Sequence, residues 1–155
     1  THHPKNELPE WTEVDGNARI RLVAGETLGR QSPVPVYSRV FCLDVELQQG
    51  EWLRIPDEYP ERAVLVVEGN VEIDGSPHKV HDMLLLDPGC SALVVARGKA
   101  RLIVLGGDPL EGRRHVWWNF VASTRERIDK AREDWKAGRF AEVPGETEYI
   151  PLPDK

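Results

Sequence analysis

Eight short apolar runs between residues 18 and 105, each closed by a turn signal, constrain this chain more than any other feature. Ala18-Arg19-Ile20-Arg21-Leu22 alternates with period two, and Phe41, Leu43, Val45 and Leu47 alternate with Cys42, Asp44 and Glu46, so each run carries one apolar face. Further runs follow at 52–55, 63–67, 71–73, 83–86, 92–96 and 101–105. Between them lie Gln49-Gly50, Gly69-Asn70, Asp74-Gly75-Ser76-Pro77, Asp87-Pro88-Gly89, Arg97-Gly98-Lys99 and Gly106-Gly107-Asp108-Pro109. Short strands at this spacing predict an all-β fold, a sandwich or small barrel of the jelly-roll kind.

The ends read differently. Residues 1–17 are mostly polar and punctuated by Pro4, Pro9 and the turn Asp15-Gly16-Asn17, which predicts a lead-in segment before a barrel over 18–120. Residues 121–155 read as one helix and a proline-containing tail (Pro144, Pro151, Pro153). Ser123-Thr124-Arg125-Glu126 has the form of a capping box, Ile128, Ala131 and Trp135 share a face, and Gly138 is a stop, which predicts a helix over about 124–137. At 155 residues the chain is long enough for one domain with its own core. Its net charge of -6 argues against direct nucleic-acid binding or an anionic membrane partner. No apolar run reaches the roughly 18 residues of a membrane span. Cys42 and Cys90 form no CxxC or zinc pattern and read as two reduced, buried thiols of a cytoplasmic protein. Met83 is the sole methionine, so a chain opening at Thr1 reads as having lost at least its initiator.

The stretch Gly50–Gly69, GEWLRIPDEYPERAVLVVEG, is similar in spacing to the first motif of the cupin superfamily: glycine, five residues, His-x-His, three residues, Glu, six residues, glycine. The resemblance places Pro56 and Glu58 at the two histidines and Arg62 at the glutamate. Aligning the second cupin motif on Gly89 places Ala92 at its histidine. It therefore implies a cupin-type jelly-roll barrel, a double-stranded β-helix, whose ligand positions Pro56, Glu58, Arg62 and Ala92 carry no metal-binding set. Dioxygen or Lewis-acid chemistry needs three or four imidazole or carboxylate donors converging on one ion. A lone Glu58 supplies one, and the always-charged Arg62 repels a cation.

The histidines are the remaining candidates. His78 and His81 follow Pro77 in a hairpin arm, where surface or hydrogen-bonded histidines are the plainer reading and a displaced metal site the alternative. His115, before Trp117-Trp118, reads as a packing residue with the same alternative. His2 and His3 could bind metal but read as a mobile tail. No nucleophile elbow or phosphate-binding glycine loop is present, and no residue is assigned as catalytic.

The segment from Gly106, GGDPLEGRRHVWWNFVASTRERIDKAREDWKAGRF, followed by Val143-Pro144-Gly145 and Tyr149-Ile150-Pro151-Leu152-Pro153, resembles the carboxy-terminal end of the pirin family. Ser32-Pro33-Val34, Leu43-Asp44-Val45, Glu61-Arg62-Ala63-Val64 and Val67-Glu68-Gly69 extend the resemblance over residues 15–153. Pirins are bicupins whose metal site, of three histidines and one glutamate, lies in the amino-terminal barrel. The resemblance implies that this chain is the carboxy-terminal barrel. It also implies that quercetin 2,3-dioxygenase activity, iron or another divalent metal, and transcription-cofactor roles belong to a half absent here. Three readings follow, in order of preference. The chain is the structural and interaction half of a bicupin, inactive alone and partnered by an amino-terminal barrel or a second subunit. Alternatively it is a stand-alone metal-free cupin binding a small molecule or protein, or else an enzyme with a displaced metal site at His78, His81 or His115. Trp117, Trp118, Asn119, Phe120 and Trp135 are the interface candidates. If the WWNF stretch is extended, adjacent indoles point to opposite sides and one needs a second apolar surface. The alternative is that the helix folds back over both rings.

Overall fold

A computed structural model describes residues 3–141, 144–145 and 147–153. The chain forms two compact units, residues 1–109 and 110–155. The first contains eleven strands: β1 (Glu10–Thr12), β2 (Arg19–Thr27), β3 (Arg30–Gln31), β4 (Val40–Leu47), β5 (Trp52–Arg54), β6 (Glu61–Glu68), β7 (Asn70–Ile73), β8 (Ser76–Lys79), β9 (Met83–Leu86), β10 (Leu93–Ala96) and β11 (Ala100–Gly107). The larger sheet runs β1-β2-β4-β11-β6-β9 with β3 on β2, and the smaller runs β5-β10-β7-β8. The chain switches sheet after β4, β5, β6, β8, β9 and β10, which is the winding of a jelly roll.

Alternation sets the register. Leu22 lies opposite Leu43, Leu43 opposite Val104, Val104 opposite Val64 and Val64 opposite Leu84, an apolar row across five strands. A slip of one residue in any strand would turn its row outward. The smaller sheet answers with Leu53, Val71, Ile73, Val94 and Ala96, all buried in the same core. Each such leucine, isoleucine or valine contributes about 1.5–3 kcal/mol of burial. Gly69, between β6 and β7, has φ +80, and a Cβ there would sit 2.2 Å from the Lys99 carbonyl oxygen, so the tight return demands glycine.

The eight runs expected as strands fall on β2, β4, β5, β6, β7, β9, β10 and β11. One detail adds to the sequence reading. The lead-in is not wholly outside the fold, because β1 pairs with β2 through Glu10, Trp11 and Thr12. The two compact units divide between Pro109 and Leu110. Pro77 sits in β8, an edge strand of the smaller sheet, where a missing N–H is tolerated.

In the second unit, β12 (His115–Trp117) and β13 (Phe120–Ala122) form a hairpin followed by α1 (Arg125–Lys136). The cap is Thr124, whose hydroxyl accepts from the Arg127 N–H at 3.4 Å, not Ser123 as the capping-box register predicts. Lys130 and Asp134 pair at 3.0 Å one turn apart, and Arg139 reaches the same carboxylate at 2.7 Å. No helix among the described residues is long and apolar enough to cross a membrane.

Candidate functional site

Arg62 decides what the cupin ligand positions can do. In β6 it shares a face with Val64 and Val66, so alternation carries its side chain inward, where it is 3% exposed. The guanidinium donates to the carbonyl oxygens of Asp87 and Cys90, both at 2.7 Å, and of Pro56 at 3.3 Å. One side chain thus ties the connection before β6 to the connection between β9 and β10. No carboxylate neutralises it among the described residues, and its Nε–H is buried without an acceptor. Carbonyl dipoles alone hold the charge.

The other three positions are also occupied by structural work. Pro56 is buried and gives Arg62 its carbonyl. Ala92 is 2% exposed, and its carbonyl accepts from the Ile55 N–H at 2.8 Å. Glu58 turns away from the barrel: its carboxylate accepts from the Thr27 hydroxyl at 3.1 Å and the Leu28 N–H at 2.9 Å, holding the β2–β3 hairpin. Nearby, Tyr59 is buried, donates from its hydroxyl to the Glu26 carbonyl at 2.7 Å and packs 5.2 Å from the Phe41 ring. Burial pushes the Tyr59 phenol up from its ordinary range. Phe41 in turn requires Gly106, where a Cβ would lie 2.1 Å from its ring. A proline, an alanine, a buried guanidinium and a committed carboxylate do not fit a metal ion.

The histidine candidates do not supply a substitute. His78 lies in β8 with Nδ1 4.0 Å from the Asp82 carboxylate, His81 sits in the following turn at φ 75, and His115 opens β12 in the second unit. His3 is 3.5 Å from Glu7, and His2 lies outside the described residues. Among the described residues no group of three or more His, Cys, Asp or Glu side chains is placed to hold a metal. Cys42 is partly buried, but Cys90 is exposed, contrary to the expectation of two buried thiols; both are free.

A second buried guanidinium stands on the outer side of the larger sheet. Arg21 in β2 pairs with Asp44 in β4 at 3.0 Å and with Glu10 in β1, and Arg101 in β11 closes on Asp44 at 2.7 and 2.9 Å. The Arg101 hydrogen bonds, then the charges of Arg101 and Arg21, hold the Asp44 carboxyl below its usual range against the opposing effect of burial.

The WWNF stretch is bent rather than extended. Trp118 and Asn119 form the loop between β12 and β13, and Trp118 has φ 50, so the alternation argument for throwing one indole outward does not apply. The Trp118 ring lies edge-on to Trp135 at 5.3 Å, Phe120 stacks on Phe140 at 5.7 Å, and the Trp135 indole N–H donates to the Ile150 carbonyl at 2.8 Å. Trp117 carries the Arg132 guanidinium 4.4 Å above its ring. Trp118 nevertheless keeps 37% of its surface exposed, with Val116 and Val121 at 68% and 64%.

Comparison with known proteins agrees with this architecture. Residues 42–141 match the family model of the pirin C-terminal cupin domain. A pirin-like protein of Caulobacter vibrioides is 41% identical over 157 residues, covering 99% of this chain and 53% of that protein. The crystal structure of a quercetin 2,3-dioxygenase from Acinetobacter baumannii superposes with a TM-score of 0.79 at 32% identity, covering 96% of this chain and 52% of the other. A bacterial pirin from Escherichia coli in complex with nickel(II) shares the fold at a TM-score of 0.52 and 20% identity, over 59% of this chain and 40% of its own. The chain spans about half the length of the relatives it matches. An all-β barrel of this winding, the capped helix behind its aromatic hairpin and the match over residues 42–141 together establish that the chain belongs to the pirin family, as its carboxy-terminal cupin domain.

Proposed function

We propose that this domain is a metal-free structural and interaction half of a two-barrel pirin, whose metal-dependent, quercetin 2,3-dioxygenase-like chemistry resides in an amino-terminal barrel. The observation that carries the reading is Arg62: the ligand frame is retained, but a buried guanidinium bonded to three carbonyls stands in it. Relatives of about twice this length supply room for the other barrel. The two free thiols fit a reducing, cytoplasmic setting. The test is metal analysis and quercetin turnover on the purified chain. We expect neither stoichiometric metal in the barrel nor oxidation of quercetin; stoichiometric iron or nickel bound there, with turnover abolished by chelation, would overturn the reading.

The interaction role rests on the exposed remainder of the Trp118 ring and its neighbours Val116 and Val121. Trp118→Ala is expected to weaken association in sedimentation while costing about 1–2 kcal/mol, less than the roughly 3–5 kcal/mol of a core tryptophan. An unchanged association state with a full core-sized loss would leave the ring a purely internal packing group.

A second reading, a barrel that binds a small molecule, is favoured by a cleft of about 490 Å³ bordered by Glu26, Gln31, Pro33, Val34 and Arg39. Its size suits a small ligand.

A further inference from the structure

The chain is acidic overall, yet its arginines are unevenly spent. A cleft of about 370 Å³ in the second unit, between β12 and α1, is bordered by Arg113, Arg114, Arg125 and Arg132, with His115 beside them and Asp129 as its one acidic wall. Ion pairing accounts for little of this charge. The guanidiniums of Arg113 and Arg125 make no hydrogen bond or ion pair among the described residues, although Arg125 lies near enough to Glu126 to act on its charge. Arg114 donates only to the backbone carbonyls of Glu111 and Gly112. Arg132 reaches Asp129 at a long 3.5 Å, lies against the Trp117 ring, and carries a buried Nε–H with no acceptor. The Glu126 carboxyl is held below its ordinary range first by its own backbone N–H and by the Thr124 hydroxyl, and less by the charges of His115 and Arg125, and it does not border the cleft.

Folding alone does not explain the arrangement. Like charges gathered in one concavity repel, and Arg125 opens α1, where the helix dipole favours the opposite sign. The spacing of Arg125, Ile128, Asp129 and Arg132 puts them on one helix face. Ile128 is buried, so the two arginines are fixed at either side of an anchored residue. Trp117 stiffens one of them, which lowers the entropy lost when that guanidinium takes a ligand. Planar guanidinium forks suit oxyanions with several acceptor oxygens.

We propose that this cleft is an anion-binding site for a compact oligoanion, of the chemistry of a phosphomonoester or diphosphate on a small molecule. Its concavity and its size favour a small ligand over a strand of nucleic acid, which would track an extended basic groove. The net charge of -6 also opposes a long polyanion while leaving a compact one free to enter.

Inorganic pyrophosphate titrated calorimetrically into the 155-residue chain at low ionic strength tests this. One saturable site per chain is expected, with orthophosphate weaker. Arg113→Gln with Arg125→Gln should weaken pyrophosphate about tenfold or more per guanidinium removed, while Arg54→Gln in the first unit leaves it unchanged. Circular dichroism and melting establish that the variants are folded. Should the double variant fail to fold, Arg113→Gln alone, in the exposed segment before β12, serves, with a loss of about tenfold expected. The indole N–H resonance of Trp117 should move on addition of pyrophosphate. Absence of saturable binding, equal weakening by Arg54→Gln, or tighter binding of a single-stranded oligonucleotide than of pyrophosphate would overturn the assignment.

Discussion

Two guanidiniums are buried in the first unit, and they are held by opposite means. Arg62 is held by three backbone carbonyls and pairs with no carboxylate among the described residues; Arg21 is held by Asp44 and Glu10, with Arg101 sharing Asp44. The first arrangement ties loops together from inside the barrel. The second joins neighbouring strands across the outer face of a sheet, following the order β1-β2-β4-β11. A charge held by dipoles and a charge held by charges respond differently to truncation, to pH and to replacement by apolar groups.

The largest effect is expected from Arg62→Met. It leaves the carbonyls of Pro56, Asp87 and Cys90 without their donor, at ~1–3 kcal/mol for each group left unsatisfied, and a total of about 4 kcal/mol is expected in denaturant unfolding. A loss under about 1 kcal/mol would mean that water replaces the guanidinium and that Arg62 is not a tie. Asp44→Asn should cost less, about 2 kcal/mol, because it takes one of the two carboxylates that hold the buried Arg21 and leaves Glu10 as the other, while the half-exposed Arg101 returns to solvent.

Acid separates the two sites. The Asp44 carboxyl, lowered first by Arg101, and that of Glu10, lowered first by Arg19, both bind fewer protons folded than unfolded between their folded values and the ordinary carboxylate range near ~4. Their contribution is therefore present above that range and lost as pH falls through the folded values. Melting temperatures measured from neutral pH downward should fall for the parent and for Arg62→Met in parallel, since carbonyl acceptors do not ionise. Asp44→Asn should show a shallower fall. Identical profiles for parent and Asp44→Asn would dissolve the contrast. The smallest effect belongs to Arg21→Met combined with Asp44→Leu, which removes both charges of the buried pair; a change within about 1 kcal/mol of the parent is expected by unfolding titration.

The sequence carried most of the barrel because alternation and turn chemistry act locally. The row from Leu22 to Leu84 could be assembled only once strand order was known, yet each member already announced its face. Arg62 shows where such reading stops. Its parity with Val64 and Val66 marked an inward charge, but its partners are backbone carbonyls, which every residue type carries alike. The Asp44 network was hidden for another reason: Arg21, Asp44 and Arg101 looked like the polar side of three separate strands, and only the sheet order makes them neighbours. Trp118 defeated the pattern outright. An indole followed by an asparagine continued an apparently extended run, and nothing in a tryptophan advertises a left-handed turn; its packing on Trp135 supports that conformation from seventeen residues away. The helix cap slipped by one because Ser123 and Thr124 offer adjacent hydroxyls, and only backbone geometry chooses between them.

Arg62 gives this barrel a property that no ion-binding cupin site has. Its central cation is covalently part of the chain, so it is synthesised with the protein, present from the moment of folding, and immune to chelators, to competing metals and to scarcity. At that position nothing has to be loaded. On the two-barrel reading proposed above, this half would stay constant through every fluctuation in metal supply, confining the sensitivity to the other half.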